Sequence, residues 1–164
     1  MNLVSIVRFL HIVSAIWFIG GIAARQIVRA YAKQTDDVHR FAAVSEAAGR
    51  IERIMVIPGN FAVLFFGVVL GLMIGAPILG FLQGASRNWL LVSNILLLAG
   101  FFNVPLVFLP RGRLFDAALK DALARGQVTP ELREHMNDKV VRNVHIFELS
   151  AIGVVTFLMV FRPF

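Results

Sequence analysis

The chain has 164 residues, of which 58% are hydrophobic and only 16% are charged, and it contains no cysteine. Soluble domains carry about a quarter charged residues, whereas here the apolar residues lie in long blocks, so the composition indicates an integral membrane protein. The formal charge of +6 does not indicate nucleic-acid binding, because the basic residues flank the apolar blocks, and the lack of cysteine excludes disulfides, iron–sulfur clusters and thiolate metal ligands.

Four apolar blocks predict four membrane-spanning helices within a single domain. The blocks cover residues 3–24, 54–76, 89–109 and 140–161. Each is close to the roughly 20 residues that a helix needs to cross the hydrocarbon core, and four spans supply too few strands for a closed barrel. We therefore expect an all-α fold, an integral membrane four-helix bundle.

The distribution of lysine and arginine predicts the orientation of the bundle. Six of these residues lie between the first and second blocks and seven at the connection between the third and fourth, against Arg87 alone between the second and third. By the positive-inside rule, both termini of this multi-pass protein lie outside a bacterial cytoplasmic (inner) membrane.

The two basic segments also show helical periodicity, which predicts amphipathic helical extensions on the cytoplasmic side. Asp36, Asp37 and Thr129 are suited to cap helix starts, and Gly126 to end a helix. The apolar pattern that begins at Leu132 is expected to run unbroken into the fourth span.

A single histidine, His11, lies within the first apolar block. Ionisable groups at membrane depth are expensive, so such a residue indicates a functional site by default. At about 100° per residue, Arg8, Ser14 and Phe18 fall on the same broad face of the helix as His11. Asn94 of the third block reaches a similar depth from its own end, so we expect an outer polar layer around His11.

A second group of polar residues predicts an inner polar layer, nearer the basic segments. It consists of Arg25, Asn60, Asn103, His145 and Glu148. Glu148 shares a helix face with His145, and a carboxylate at that depth needs a partner, for which His145, Arg25 and Asn60 are the candidates. Two interpretations stay open: an ion pair that fixes helix register, or a proton or quinone site.

His145 is also the candidate for a second metal ligand beside His11. The two residues differ in depth by about 12 Å at 1.5 Å per residue, so we do not assume that they share one iron, which would require a steeply tilted macrocycle. His39 and His135 lie on the predicted extensions and are expected at the surface, because neither has metal-ligand spacing to another residue.

Glycine and proline mark two further features of the spans. Gly67, Gly71 and Gly75 recur every fourth residue in the second span, a spacing typical of close helix packing, although a bare face could also accommodate a flat cofactor. In the third span, Pro105 removes a backbone hydrogen bond and predicts a kink next to Asn103.

Short motifs in three spans resemble a loose superfamily of small bacterial membrane proteins. The superfamily includes the haem-b-containing four-helix protoporphyrinogen oxidases, the copper-resistance D-type proteins and a family of predicted integral membrane proteins of unknown function, which this chain resembles best. The motifs are Leu10-His11, Trp17-Phe18, Gly20-Gly21 and Arg25, then Ile57-Pro58-Gly59, Gly67 and Gly71, then Asn88-Trp89-Leu90. The resemblance implies a four-helix bundle whose first-span histidine ligates haem.

The leading functional hypothesis is a haem-b-binding membrane protein in electron transfer or an oxidoreductase step, linked to quinone or to protoporphyrinogen. His11 would be the axial ligand, Arg8 would neutralise a propionate, and Trp17 or Phe18 would line the ring. The alternatives are a non-enzymatic subunit or scaffold, and a transporter of copper or a small solute. The expected partners are the lipid bilayer, a quinone or porphyrin, and further copies or other subunits; whether the protein is an enzyme stays open.

Overall fold

The computed structural model describes residues 2–164, which form four long helical segments and contain no strand. All four segments are long and apolar enough to cross a membrane, so the prediction of an all-α membrane protein is confirmed. The segments are α1 (Leu3–Ala32); α2 (Val38–Ile51) and α3 (Ile57–Met73), joined by a π-helical turn at Glu52–Val56; α4 (Trp89–Asn103) and α5 (Leu109–Arg125), joined by a π-helical turn at Val104–Phe108; and α6 (Pro130–Met136) with α7 (Lys139–Phe161).

The helix ends follow the local chemistry of the sequence. The side chain of Asp37 accepts a hydrogen bond from the Arg40 amide at the start of α2, and the Thr129 hydroxyl accepts one from the Leu132 amide at the start of α6. Gly126 ends α5 with a φ of 68°, in the left-handed region that glycine tolerates best. These three predicted boundaries are confirmed.

The fourth segment is interrupted, so the expectation of an unbroken helix from Leu132 was wrong. The chain leaves helical geometry at Asn137 and Asp138, and Asp138 then caps α7 by accepting hydrogen bonds from the amides of Val140 and Val141. Arg111 of α5 pairs with the same carboxylate. The apolar periodicity continues across this break, but the capping carboxylate supplies an acceptor that favours a new helix start.

The glycine strip of the second span is shorter than its spacing suggests. Gly67 lies against the imidazole of His11, and Gly71 lies against Ile78 and Leu90. Gly75 lies beyond the end of α3, adopts a φ of 66°, and has no neighbour where a Cβ would be, so its predicted packing role was wrong.

Proline leaves one backbone carbonyl of the second segment to be satisfied by another helix. Pro58 has no N–H with which to bond the Ile54 carbonyl one turn earlier. The indole Nε1 of Trp17 donates to that carbonyl at 3.3 Å, which joins α1 to the start of α3.

Two apolar clusters hold the segments together at different levels. The first lies among α1, α3 and α4, and the second lies among the end of α1, α2, α5 and α6, so the extensions pack into a body of their own. The buried members of the first are Phe18, Ile22, Val56, Val63 and Leu97, and those of the second are Ala32, Val38, Phe41, Ala118, Ala122 and Leu132. Large apolar side chains such as Ile16, Leu72 and Leu106 remain exposed on the outer faces, as contact with lipid requires.

The two ends of the bundle differ in charge and in construction. The cation-rich end carries the α1–α2 connection and α6, whereas the terminal end carries both termini and the α3–α4 connection. At the terminal end the Phe164 carbonyl accepts hydrogen bonds from the amides of Asn88 and Trp89, at 3.0 and 3.1 Å, and the Arg162 guanidinium lies 5.4 Å from the centroid of the Trp89 ring. The last residues therefore close onto the start of α4.

The predicted orientation can be tested with single cysteines, because the chain has none of its own. Ser86→Cys, at the terminal end, should react with an impermeant maleimide in intact cells, whereas Gln127→Cys, at the cation-rich end, should react only after the membrane is opened. Both native side chains are exposed, so burial does not confound the labelling. The reverse pattern would invert the orientation.

Candidate functional site

A cluster of ionisable side chains lies inside the bundle, where the apolar part of α1 ends. Arg25 is at its centre and is only 2% exposed. Its Nη1 donates to Glu52 Oε2, and its Nη2 donates to Glu148 Oε2 at 2.5 Å. His145 Nδ1 lies 3.1 Å from both Arg25 Nη2 and Glu148 Oε2. We call Arg25, Glu52, His145 and Glu148 the Arg25 cluster.

Three helical segments contribute these four residues, each for a local reason. His145 and Glu148 are three residues apart and therefore share one face of α7. Glu52 begins the π-helical turn between α2 and α3, and such single-turn π-bulges change the direction of neighbouring side chains and are frequent at functional sites. Arg25 lies one turn beyond the buried Gly21 and Ile22, on the inward face of α1.

The third helical segment, α4 with α5, completes the cluster with an aromatic ring. Phe108, the last residue of its π-helical turn, stacks on His145 with ring centroids 5.0 Å apart and an interplanar angle of 24°. The guanidinium of Arg25 lies 5.7 Å from the centroid of the same ring. The cation–π contact with Phe108 stabilises the guanidinium of Arg25. The apolar ring also keeps water away from the buried ion pairs, which strengthens them.

The proton on His145 determines which hydrogen bond its Nδ1 makes. With the proton on Nε2, Nδ1 can accept from Arg25; with the proton on Nδ1, it can donate to Glu148. Nε2 is itself buried and has no partner within residues 2–164, as is also true of Glu52 Oε1 and Arg25 Nε. The cluster is therefore incompletely satisfied, which is typical of a site that exchanges a proton or a ligand.

Two cavities meet the Arg25 cluster. The larger, of about 220 Å³, lies on the side of the cation-rich end; the smaller, of about 30 Å³, lies deeper in the bundle and is bordered by Asn60 and Glu148. The smaller volume is enough for a water molecule. The polar and charged lining residues of the larger cavity are Arg25, Arg29, Lys33, Ser45, Glu52, Arg111, Asp116, His135, Asp138 and His145.

The predicted inner polar layer is brought together in part. Arg25, His145 and Glu148 are in contact, whereas Asn60 donates to the Leu97 carbonyl at 3.4 Å and meets Glu148 only through the smaller cavity. Asn103 is half-buried beside the second π-helical turn and makes no hydrogen bond with the cluster.

Sequence reasoning missed two members of the site and misplaced one histidine. Glu52 follows Arg50 and precedes Arg53, so it resembles a solvated charge on an amphipathic helix, and Phe108 resembles a lipid-facing aromatic. The available signal for Glu52 was Pro58, six residues later, because a proline marks irregular helix geometry in the preceding turns. His135 lines the larger cavity, although a surface position was expected; His39 is exposed, as predicted.

The predicted outer polar layer is not connected around His11. The His11 Nδ1 lies 3.1 Å from the Val63 carbonyl of α3, and its ring packs against Gly67. Arg8 is exposed, and no hydrogen bond joins His11 to Arg8, Ser14 or Asn94 in the part of the chain that the structure describes.

The aromatic residues assigned to the first span have other neighbours. Trp17 is half-exposed and bonds the Ile54 carbonyl, and Phe18 is buried against the backbone of Gly59. Within residues 2–164, no three His, Asp or Glu side chains are grouped so as to hold a metal ion. The role of His11 in binding haem stays a prediction.

Comparison with known proteins places the chain at the level of a family. A family model described as a predicted integral membrane protein (DUF2269) matches residues 5–163. No curated protein and no solved structure matches the chain. The match agrees with the resemblance to predicted integral membrane proteins of unknown function, and none of the comparisons links the chain to the protoporphyrinogen oxidases or the copper-resistance D-type proteins.

Proposed function

The chain belongs to this family of predicted integral membrane proteins, and we propose that it is a transporter of a small solute, with the Arg25 cluster as its gate. One observation carries the proposal: the cluster lies at membrane depth between a large cavity and a small one. Ionisable residues that face the interior of a membrane bundle are characteristic of substrate pathways and proton relays. A scaffold needs ion pairs that fix helix register, but it does not need a cavity beside them.

The gate works through competition for one guanidinium. In the closed arrangement Arg25 joins α1 to Glu52 in the second segment and to Glu148 in the fourth. A solute anion that binds Arg25 weakens this bridge because it competes with the two carboxylates for the guanidinium. A proton that neutralises Glu148 weakens it because it removes one of the paired charges. The helices can then separate locally and connect the larger cavity with the smaller one. When both ring nitrogens of His145 are protonated, Nδ1 can pass its proton to Glu148 Oε2, 3.1 Å away, and the imidazole is left neutral with its proton on Nε2.

Filling the larger cavity should abolish solute binding. Gly112 lines the cavity and has open space where a Cβ would be, so Gly112→Phe should fold and should occupy the cavity. Gly153→Phe is the matched control, because Gly153 also has open space but is exposed on α7. Small anions, cations and neutral solutes would be screened by the thermal shift of purified protein, where a ligand at about 100 times its Kd stabilises by about 2.7 kcal/mol.

A solute that stabilises wild type and Gly153→Phe, but not Gly112→Phe, should also be taken up by proteoliposomes containing wild type. Stabilisation that persists in Gly112→Phe would mean that the solute binds elsewhere. Binding without uptake would contradict transport, and the absence of any stabilising solute would favour the scaffold.

A second candidate function, haem-b binding at His11, is favoured by one specific observation. Histidines that ligate metals usually donate their other ring N–H to a carboxylate or a carbonyl, and His11 Nδ1 faces the Val63 carbonyl in this way. Nε2 is then the atom that would coordinate iron, and Arg8, on the same broad face of α1, is the candidate for a propionate. A bound haem would supply one-electron chemistry.

Haem binding at His11 predicts coloured protein. Protein purified after expression with ample haem should show a Soret band, which His11→Ala should remove and His39→Ala should not. Well-folded wild type without a Soret band would exclude this candidate.

A further inference from the structure

The larger cavity contains one arginine whose side-chain hydrogen-bond donors are not used by the residues that the structure describes. Arg29 lies one helical turn beyond Arg25 on α1 and lines the cavity. No carboxylate within residues 2–164 forms an ion pair with it, and no hydrogen bond of its side chain is present in that part of the chain. A half-buried guanidinium offers five N–H donors in a fixed planar arrangement, so it needs acceptors from outside the chain.

The other charges around the cavity are either engaged or balanced. Arg25 bridges Glu52 and Glu148, whose second negative charge is balanced at longer range by Arg29. Arg111 pairs with Asp138. Two further charged residues, Lys33 and Asp116, are exposed where the cavity opens, and their charges have opposite signs. Arg29 therefore differs from the other arginines of the cavity, because no carboxylate of the described residues is in direct contact with its guanidinium.

The walls around Arg29 are largely apolar. They include Phe108, Phe115, Met136, Val141 and Ala48. The volume of about 220 Å³ lies below the roughly 300–1,000 Å³ of sites for drug-sized ligands. An occupant should thus be small, carry an anionic group for Arg29, and present an apolar body to the two phenylalanines.

From this arrangement we propose that the larger cavity binds a small amphipathic anion, whose carboxylate or phosphate is held by Arg29 and whose apolar part lies against Phe108 and Phe115. The proposal rests on the proposed transport function and names the class of its solute. Planar, bidentate recognition of a carboxylate or phosphate is what arginine does better than lysine. The anionic group can belong to a free solute or to a lipid headgroup, because the cavity opens near the end of the apolar segments.

Three probes of matched shape and different charge test the proposal: benzoate, benzamide and benzylamine. Calorimetry with wild-type protein in a zwitterionic detergent should detect binding of benzoate and at least tenfold weaker binding of the other two. Arg29→Gln should reduce the affinity for benzoate at least tenfold, and Arg29→Lys should reduce that affinity by a smaller factor. Arg53→Gln is the matched control, because Arg53 is an exposed arginine outside the cavity, and it should bind benzoate as wild type does.

The same titrations in nanodiscs distinguish the two sources of the anion. If a lipid headgroup is the occupant, phosphatidylglycerol should weaken benzoate binding to wild type relative to phosphatidylcholine alone, and Arg29→Gln should remove that difference. If the occupant is a free solute, the two lipid compositions should give the same affinity. Either result supports an anion site at Arg29.

Equal affinity for all three probes, or unchanged benzoate binding in Arg29→Gln, would overturn the anion site. If benzylamine binds instead, and Gly112→Phe blocks it, the transporter survives with a cationic solute and only the present inference fails. If no probe binds in detergent or in phosphatidylcholine nanodiscs, the anion site is excluded, and the wider solute screen decides the transport function separately.

Discussion

Arg25→Met should be among the most destabilising single substitutions in this protein. It leaves Glu52 and Glu148 without the guanidinium that bridges them, and removing one partner of a buried ion pair costs about 3–5 kcal/mol. For a chain of this size, that corresponds to a fall in melting temperature of roughly 6–20 °C. The melting temperature in detergent, followed by the fluorescence of Trp17 and Trp89, measures the effect.

The surface provides a matched control for this loss of a guanidinium. Arg50 pairs with Glu46 four residues earlier on α2, with both side chains more than half exposed, so Arg50→Met should cost no more than about 0.5 kcal/mol. Adding Glu148→Gln to Arg25→Met should restore part of the stability, because it removes one of the two carboxylates that have lost their guanidinium partner. Equal melting temperatures for Arg25→Met and Arg50→Met would show that the buried carboxylates reach water.

Gly59→Leu should separate α1 from α3 and prevent normal folding. A Cβ at Gly59 would lie 3.0 Å from the Cα of Phe18, so the contact is with backbone that cannot rotate away. Extra methylenes in a packed core cost about 1–3 kcal/mol, and leucine adds four carbon atoms here, so we expect a loss at or above that range. The yield of monodisperse protein and its melting temperature report the outcome.

A nearby glycine provides the comparison. Gly20 also lies in a helix but has nothing within 4 Å of the position that a Cβ would take. Gly20→Leu should therefore leave the stability unchanged or raise it slightly, because leucine has a higher helix propensity than glycine. If Gly20→Leu and Gly59→Leu behave alike, the close crossing of α1 and α3 at Gly59 does not contribute to stability.

The parts of the fold that depend on short-range chemistry could be predicted from the sequence. The spans follow from apolar length, and the helix boundaries at Asp37, Gly126 and Thr129 follow from side chains that satisfy neighbouring backbone groups. The break at Asp138 had the same type of signal, but the continuous apolar periodicity concealed it. At Asp138 the apolar periodicity predicts a continuous helix, whereas the capping carboxylate predicts a new helix start, and the structure follows the cap.

Only those residues of the candidate site whose depth within a membrane span brings them together could be predicted from the sequence. Arg25, His145 and Glu148 lie at matching depths in their spans, and the structure brings them together. Glu52 depends instead on a π-helical turn, which rotates a residue of an apparently solvated helix into the bundle. A periodicity of 3.6 residues cannot reveal such a rotation, because the turn itself departs from that periodicity.

Because Arg25 is synthesised long before Glu148, their ion pair forms late in the synthesis and membrane insertion of the chain. The two residues are 123 positions apart, so at 5–20 residues per second the ribosome needs roughly 6–25 s to supply Glu148 after Arg25. Of its two partners in the folded protein, only Glu52 is present during that interval, because it is 27 positions away and is made much sooner. The first two segments can therefore enter the bilayer as a hairpin with its guanidinium already compensated. Insertion of the last helix then completes the ion pairs, so a chain truncated before α7 should be a preferred substrate for membrane proteolysis.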